Sequence, residues 1–104
     1  MSGVRSARIL IVEDNERLRR GIARALRESW EEVREVATGE EAVGLLRDPE
    51  AEPFDVVLSD LRLPGVDGLE VLRAARDRDA QTSVVLLTAY GSIETAVEAM
   101  RSGD

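Results

Sequence analysis

The chain has 104 residues and a formal net charge of −7, and its 14 basic residues are all arginines, with no lysine, histidine or cysteine. This length predicts a single domain, and a hydrophobic content of 43% is enough for a globular core. The missing residue types exclude disulfides, Cys/His zinc sites, Ser-His-Asp triads, Schiff bases and P-loop lysines. A metal site must therefore use oxygen ligands, and the acidic balance argues against direct binding to nucleic acid.

No apolar stretch is long enough to cross a membrane. The two longest purely apolar stretches, Ile9–Val12 and Val84–Leu87, have four residues each, whereas a membrane-spanning helix needs about 20. The N-terminus has no signal-like apolar segment. We therefore expect a cytoplasmic protein without membrane contact. For the domain organisation, we expect a leader over residues 1–7 and one domain over residues 8–104.

The first half of the chain predicts two strand–helix units. Ile9–Val12 is rich in β-branched residues, which is typical of a strand buried on both faces of a parallel sheet. Val33–Ala37 alternates and predicts a second strand nearer an edge, and Trp30 is expected to be partly buried at the end of the first helix. Thr38 and Glu41 predict a capping box that opens the second helix. The apolar stripes of these two helices are Leu18, Ile22, Ala25 and Leu26, then Ala42, Leu45 and Leu46.

The second half repeats the pattern. Val56–Leu58 and Val84–Leu87 predict two more buried strands. A helical stripe follows each strand, consisting of Leu69, Leu72 and Ala75 with Val71 beside them, then Ile93, Ala96, Val97 and Met100. This β-α alternation predicts an α/β fold with right-handed crossovers and a doubly wound parallel sheet.

Polar side chains follow three of the predicted strands. Glu13 and Asp14 follow the first, Asp60 follows the third, and Thr88 and Ala89 follow the fourth. Because the carboxyl ends of parallel strands meet at one edge, we expect these groups to converge there. Mg²⁺ would relieve the repulsion between the carboxylates. Asp60 then fits the role of a nucleophile towards a phosphoryl group, whose oxygens the Thr88 hydroxyl and the Ala89 amide could bind.

Each of these residues also has a structural interpretation. Asp14 or Asn15 could cap the following helix, Asp60 could be a turn residue, and Thr88 taken alone is more often structural than functional. Their conjunction at three strand ends favours the functional interpretation.

The sequence resembles a receiver domain of a two-component response regulator over residues 8–104. Three motifs support the resemblance: Ile9–Asp14, Ser59–Gly68 and Leu87–Gly91. The segment Thr88–Met100 is similar to receivers attached to NtrC-type σ54-dependent transcription activators. The resemblance implies a flavodoxin-like fold whose complete family sheet has the strand order 2-1-3-4-5.

The resemblance also implies roles for individual residues. Asp60 would be the phosphoacceptor, receiving a phosphoryl group from a phosphohistidine of a sensor histidine kinase. Mg²⁺ would bind to Asp60 and to three further ligands, the carboxylates of Glu13 and Asp14 and the backbone carbonyl of Arg62.

The resemblance places a switch near the fourth strand. Thr88 would be the switch hydroxyl, and the backbone amide of Ala89 would lie beside the phosphoryl group. The helix over Ser92–Arg101 would then change position and present a surface to an output domain or partner protein. We expect a signalling domain rather than an enzyme, with possible self-catalysed phosphorylation and dephosphorylation.

The chain departs from the family at its end. It stops before the family's fifth strand and fifth helix, and it contains no lysine to pair with the phosphoryl group. We therefore expect a sheet of order 2-1-3-4 whose exposed strand Val84–Leu87 favours a homodimer or other self-association. The missing lysine leaves a phosphorylation-independent docking module open as an alternative. A Mg²⁺-dependent phosphatase ranks lower, because Arg62 stands where such enzymes have a second acid.

Overall fold

The computed structural model describes residues 5–87 and Val97. The strand β1 begins at Arg5, inside the stretch 1–7 that the sequence predicts as a leader. The elements in chain order are β1 (Arg5–Val12), α1 (Glu16–Leu26), β2 (Trp30–Val36), α2 (Gly39–Leu46), β3 (Val56–Asp60), α3 (Gly68–Arg78) and β4 (Ser83–Leu87).

The four strands form one parallel sheet of order β2-β1-β3-β4. The predicted doubly wound α/β fold and the strand order 2-1-3-4 are therefore confirmed. The register aligns the carboxyl ends of the strands, because Val12 pairs with both Val36 and Ser59, and Asp60 pairs with Leu87. Residues that directly follow these positions consequently share one edge of the sheet.

Both faces of the sheet are covered, which explains the continuous apolar strands. Successive residues of β1 point to opposite faces: Leu10 and Val12 belong to the core beneath α2 and α3, whereas Ile9 and Ile11 belong to the core beneath α1. All four side chains are at most 1% exposed. Burial of each contributes about 1.5–3 kcal/mol to stability.

Each described helix begins with a side-chain cap. Asn15 Oδ1 accepts a hydrogen bond from the Leu18 N–H, and Asp67 Oδ1 accepts from the first turn of α3. Thr38 Oγ1 accepts from the Glu41 N–H at 3.1 Å, while the Glu41 carboxylate accepts from the Ala37 N–H at 3.4 Å. The predicted capping box is therefore confirmed, except that the Glu41 carboxylate binds the N–H of Ala37, the residue before the cap, and not that of Thr38.

Two predicted details differ from the structure. Trp30 does not end the first helix but is the first residue of β2, where it is buried in the core beneath α1. On α3 the stripe has a different phase, since Leu69 is 49% exposed and Val71 is fully buried. The close approach of Gly68 to the backbone at the end of β3 sets this phase, because Gly68 and Val71 then share the inner face.

The helix predicted over Ser92–Arg101 lies almost entirely outside the described residues. Within it, Val97 is helical and half-buried, and it packs against the core beneath α1. In the part of the chain that the structure describes, no helix has the length and apolarity needed to span a membrane.

Candidate metal site at the carboxyl edge of the sheet

Three carboxylates converge at the carboxyl ends of β1 and β3. Glu13, Asp14 and Asp60 each contribute an oxygen that lies within 4.8 Å of the other two, a spacing that could hold a metal ion. Glu13 is only 3% exposed, whereas Asp60 is half-buried and Asp14 is exposed. The cluster therefore has a buried inner ligand and an outer side that is open to solvent.

The main chain and side chain of Glu13 are both held in place. Its N–H donates to the Val36 carbonyl at 3.2 Å, which extends the pairing of β1 with β2. Its carbonyl accepts a hydrogen bond from Arg19 Nη1 at 3.1 Å, and its carboxylate accepts one from the Asn15 N–H at 3.0 Å. Glu13 is consequently a fixed group against which the other two carboxylates are arranged.

The electrostatics of the cluster favour a cation. The pKa of the Glu13 carboxyl is raised from 4.5 to about 7, mainly by burial; the Asn15 N–H opposes the rise, while the negative charge of Asp60 and the neighbouring Asp14 add to it. Three close carboxylates thus need either a proton or a positive charge. An all-oxygen donor set with open outer positions fits a hard divalent cation such as Mg²⁺, which keeps several waters.

Asp60 stands at the last position of β3, and its surroundings fix its backbone. Buried Ser59 donates its hydroxyl to the Asp60 carbonyl at 2.9 Å. The next residue, Leu61, donates its N–H to the Leu87 carbonyl at 2.9 Å. The Asp60 carboxylate accepts from the Arg62 N–H at 3.1 Å, which orients one oxygen while the half-buried side chain remains accessible.

The loop after Asp60 requires glycine at two positions. A Cβ on Gly68 would lie 2.5 Å from the Asp60 carbonyl oxygen and 2.8 Å from the Leu61 Cα, so the start of α3 packs directly against the site. Gly65 has a φ of +75°, a left-handed conformation that glycine adopts without strain. Its Cα faces the Glu40 carboxylate, which also accepts from the Val66 N–H at 3.4 Å. The loop is therefore anchored to α2 as well as to β3.

The structure brings together the three predicted carboxylates and places the Arg62 N–H on Asp60. The Arg62 backbone carbonyl as a metal ligand stays a prediction. Thr88 and Ala89 lie outside the described residues. Asn15, and not Asp14, caps α1. The bond from the Arg62 N–H to the Asp60 carboxylate is also one that a turn residue makes.

Sequence reasoning missed two supporting residues, Ser59 and Arg19. Ser59 could have been suspected from its place in a buried strand directly before Asp60, because a buried hydroxyl needs a partner. Arg19 bonds to the Glu13 carbonyl and to Glu35 of a neighbouring strand, and no local sequence pattern signals such a long-range contact.

A doubly wound parallel sheet with this carboxylate cluster at its carboxyl edge is the arrangement expected of a receiver domain. Residues 9–104 match the response regulator receiver domain family, and the chain belongs to this family. Receiver domains are generally signalling modules rather than classical enzymes.

Curated relatives agree with this assignment. The chain is 42% identical over 96 residues to the regulatory protein AtoC of Escherichia coli, and this alignment covers 92% of the chain. It is 39% identical over 98 residues to the response regulator protein FleR of Pseudomonas aeruginosa, covering 94%. Both alignments span only 20% of the relative. These relatives are of the NtrC type, so the predicted resemblance to NtrC-type receivers is confirmed.

Solved structures give the same fold. The receiver domain of the hybrid histidine kinase CckA superposes with a TM-score of 0.71 at 34% identity, covering 90% of this chain and 95% of that domain. The chemotaxis response regulator CheY4 of Vibrio cholerae superposes with a TM-score of 0.77, covering 93% of this chain and 98% of CheY4. At 21% identity, the likeness to CheY4 shows the fold alone.

Proposed function

We propose that this chain is a phosphoacceptor that takes a phosphoryl group onto Asp60 from a phosphohistidine of a sensor histidine kinase. The observation that supports this most directly is the convergence of Glu13, Asp14 and Asp60 within 4.8 Å at the carboxyl edge. Asp60 is the member of that cluster that ends a core strand and remains accessible. Since the chain contains no histidine, the donor histidine lies outside this chain.

In the proposed transfer, an Asp60 carboxylate oxygen attacks phosphorus, and the P–N bond of the phosphohistidine breaks. The electron pair of that bond returns to the imidazole nitrogen, and Asp60 becomes an acyl phosphate. Water later cleaves the acyl phosphate, which restores the carboxylate and releases inorganic phosphate. The Arg62 N–H fixes one carboxylate oxygen at 3.1 Å during attack, so the other oxygen faces the incoming group.

The carboxylates of Glu13, Asp14 and Asp60, with the backbone carbonyl of Arg62, would hold Mg²⁺. Bound there, the ion supplies positive charge that offsets the repulsion between carboxylates and phosphoryl oxygens. Glu13 acts as the fixed inner ligand, because its main chain and carboxylate are already bonded.

The proposal extends to the switch and its readout. The Thr88 hydroxyl and the Ala89 amide bind the phosphoryl oxygens, and the phosphorylated state shifts the population of conformers of the helix over Ser92–Arg101. That helix contacts an output domain or partner protein in the cytoplasm. Transcription is the proposed output, because the relatives include a transcriptional regulatory protein of Mycobacterium tuberculosis, 36% identical over 100 residues. An attached domain would bind the DNA, since this chain is acidic.

Phosphorylation with a small donor tests the proposal. The purified chain is incubated with Mg²⁺ and acetyl phosphate, and its intact mass is measured. A single phosphoryl adduct is expected for the wild type and for Asp77→Asn, which removes an exposed carboxylate on α3, but not for Asp60→Asn. An adduct that persists in Asp60→Asn, or one that forms equally well in EDTA, contradicts the proposal.

The same experiment addresses the phosphorylation-independent docking module. If no adduct forms and Asp60→Asn binds the partner as tightly as the wild type does, the docking interpretation replaces the phosphoacceptor.

Self-association of the 104-residue chain stays a separate prediction. Light scattering coupled to size exclusion tests it, and a folded monomer at micromolar concentration contradicts it.

A further inference from the structure

The helix α1 concentrates positive charge on one side of an acidic protein. A cleft of about 1000 Å³ lies between α1, the end of β2 and the start of α2. Five of the chain's arginines line it, namely Arg17, Arg19, Arg20, Arg24 and Arg27. The acidic side chains in the lining are Glu35 and Glu41, so the lining has an excess of three positive charges while the whole chain carries −7.

The arginines of this cleft differ in how far they are neutralised. Glu35 bridges Arg19 and Arg27, with N–O distances of 3.3 and 3.1 Å. Arg20 pairs with Glu16 at 3.4 Å, but both side chains are about two-thirds exposed, and such a pair contributes little. Arg17 and Arg24 have no ion pair among the described residues and are exposed. Their guanidinium groups are therefore available to bind an external anion.

The positions of these arginines limit the length of an anion that could bind to them. Arg17, Arg20, Arg24 and Arg27 are spaced three, four and three residues apart, so they share one helix face, and the 1.5 Å rise per residue makes the stripe about 15 Å long. Exposed acidic residues flank both ends, with Asp14 and Glu16 before the stripe and Glu28 and Glu31 after it. A long polyanion such as a nucleic-acid duplex would meet the carboxylates at both ends of the stripe, whereas a short one would not.

The lining also indicates the chemical class. Guanidinium groups bind phosphate oxygens in bidentate fashion. The remaining lining residues, Gly21, Val36 and Ala37, are small, and none of the described residues that line the cleft is an aromatic on which a base could stack. We propose that this arginine cleft is a binding site for a short oligophosphate, either a free condensed phosphate or the phosphate tail of a nucleotide. This site lies beside the carboxylate cluster, because Arg19 lines the cleft and also bonds to the Glu13 carbonyl, and it goes beyond the phosphoacceptor function.

Calorimetric titration with tripolyphosphate in EDTA tests the site. We expect the wild type to bind, and the double variant Arg17→Gln/Arg24→Gln to bind at least about tenfold more weakly, because two charge-assisted contacts are lost. The matched control, Arg73→Gln/Arg76→Gln, removes the same charge from the exposed face of α3 and should change affinity less than about twofold. Circular dichroism verifies that all variants are folded. No binding by the wild type, or an equal loss in both double variants, overturns the proposal.

Two further titrations sharpen the result. An oligoglutamate of equal charge should bind much more weakly than tripolyphosphate, and equal affinity would show that the cleft binds any acidic peptide, which overturns the phosphate assignment. A nucleoside triphosphate that binds as tightly as tripolyphosphate supports recognition of the phosphate tail alone, and tighter binding supports a nucleotide as the source. Asp60→Asn should bind tripolyphosphate normally, so failure of the phosphoacceptor proposal leaves this one intact.

Discussion

Replacing Glu13 with glutamine should make the metal-free protein more stable at alkaline pH. Glu13 is 3% exposed, and burial followed by the charge of Asp60 raises its pKa from 4.5 to about 7. In the folded protein its protonated form is therefore favoured, and its ionised form costs stability. Glutamine keeps the size and the acceptor oxygen for the Asn15 N–H, but it cannot ionise.

The size and direction of the effect follow from the shift in pKa. Because the pKa is raised in the fold, the associated stability is fully present below about pH 4.5 and is lost as the pH rises through about 7. Each tenfold change in proton affinity corresponds to about 1.4 kcal/mol, so a rise from 4.5 to about 7 corresponds to about 3 kcal/mol. Most of this stability, about 2 to 3 kcal/mol, is lost between about pH 5 and pH 8.

Urea unfolding in EDTA at about pH 5 and pH 8 measures this. The difference in free energy of unfolding between Glu13→Gln and the wild type should shift in favour of the variant as the pH is raised from about 5 to about 8. The control Glu28→Gln, at an exposed position after α1, should show no comparable change. Adding Mg²⁺ at the higher pH should stabilise the wild type more than Glu13→Gln. Parallel pH profiles of the wild type and Glu13→Gln would refute the reasoning.

The remaining predictions concern local packing and capping, and urea unfolding also measures them. Gly68→Ala should destabilise the protein by about 1–3 kcal/mol, since its Cβ would lie 2.5 Å from the Asp60 carbonyl oxygen. Gly44→Ala, an exposed position in α2 with nothing within 4 Å, should stabilise it by about 0.5–1 kcal/mol, and equal effects at the two glycines would contradict the structure. Asn15→Ala should cost about 1 kcal/mol through loss of the α1 cap, and an unchanged midpoint would contradict that assignment.

The sheet could be predicted because its central strands are buried on both faces. Ile9–Val12 and Val56–Leu58 are uninterrupted apolar runs, and helical patterns between such runs leave few topologies available. The carboxylate cluster followed from the same rule, since parallel strands end at one edge. The convergence of Glu13, Asp14 and Asp60 required no knowledge of side-chain contacts.

Other features depend on contacts that a local pattern does not encode. The strand β2 lies at the edge of the sheet, and its buried ends, Trp30 and Val36, enclose mostly exposed residues, so its apolar signal is weak. On α3, Leu69 and Val71 are both apolar, and only the packing of Gly68 against the end of β3 decides which of them is buried. The arginine cleft likewise forms only when α1 is placed beside β2.

The three hydrogen bonds to Glu13 have a consequence for the entropy of ligand binding. With its N–H, carbonyl and carboxylate all bonded, Glu13 has little rotational freedom left to lose when a cation arrives. Immobilising a free side chain costs about 0.5–1.5 kcal/mol, and here that cost would fall mainly on exposed Asp14, because the Arg62 N–H already orients one Asp60 oxygen. Folding has thus already ordered the innermost of the three carboxylates before any cation binds.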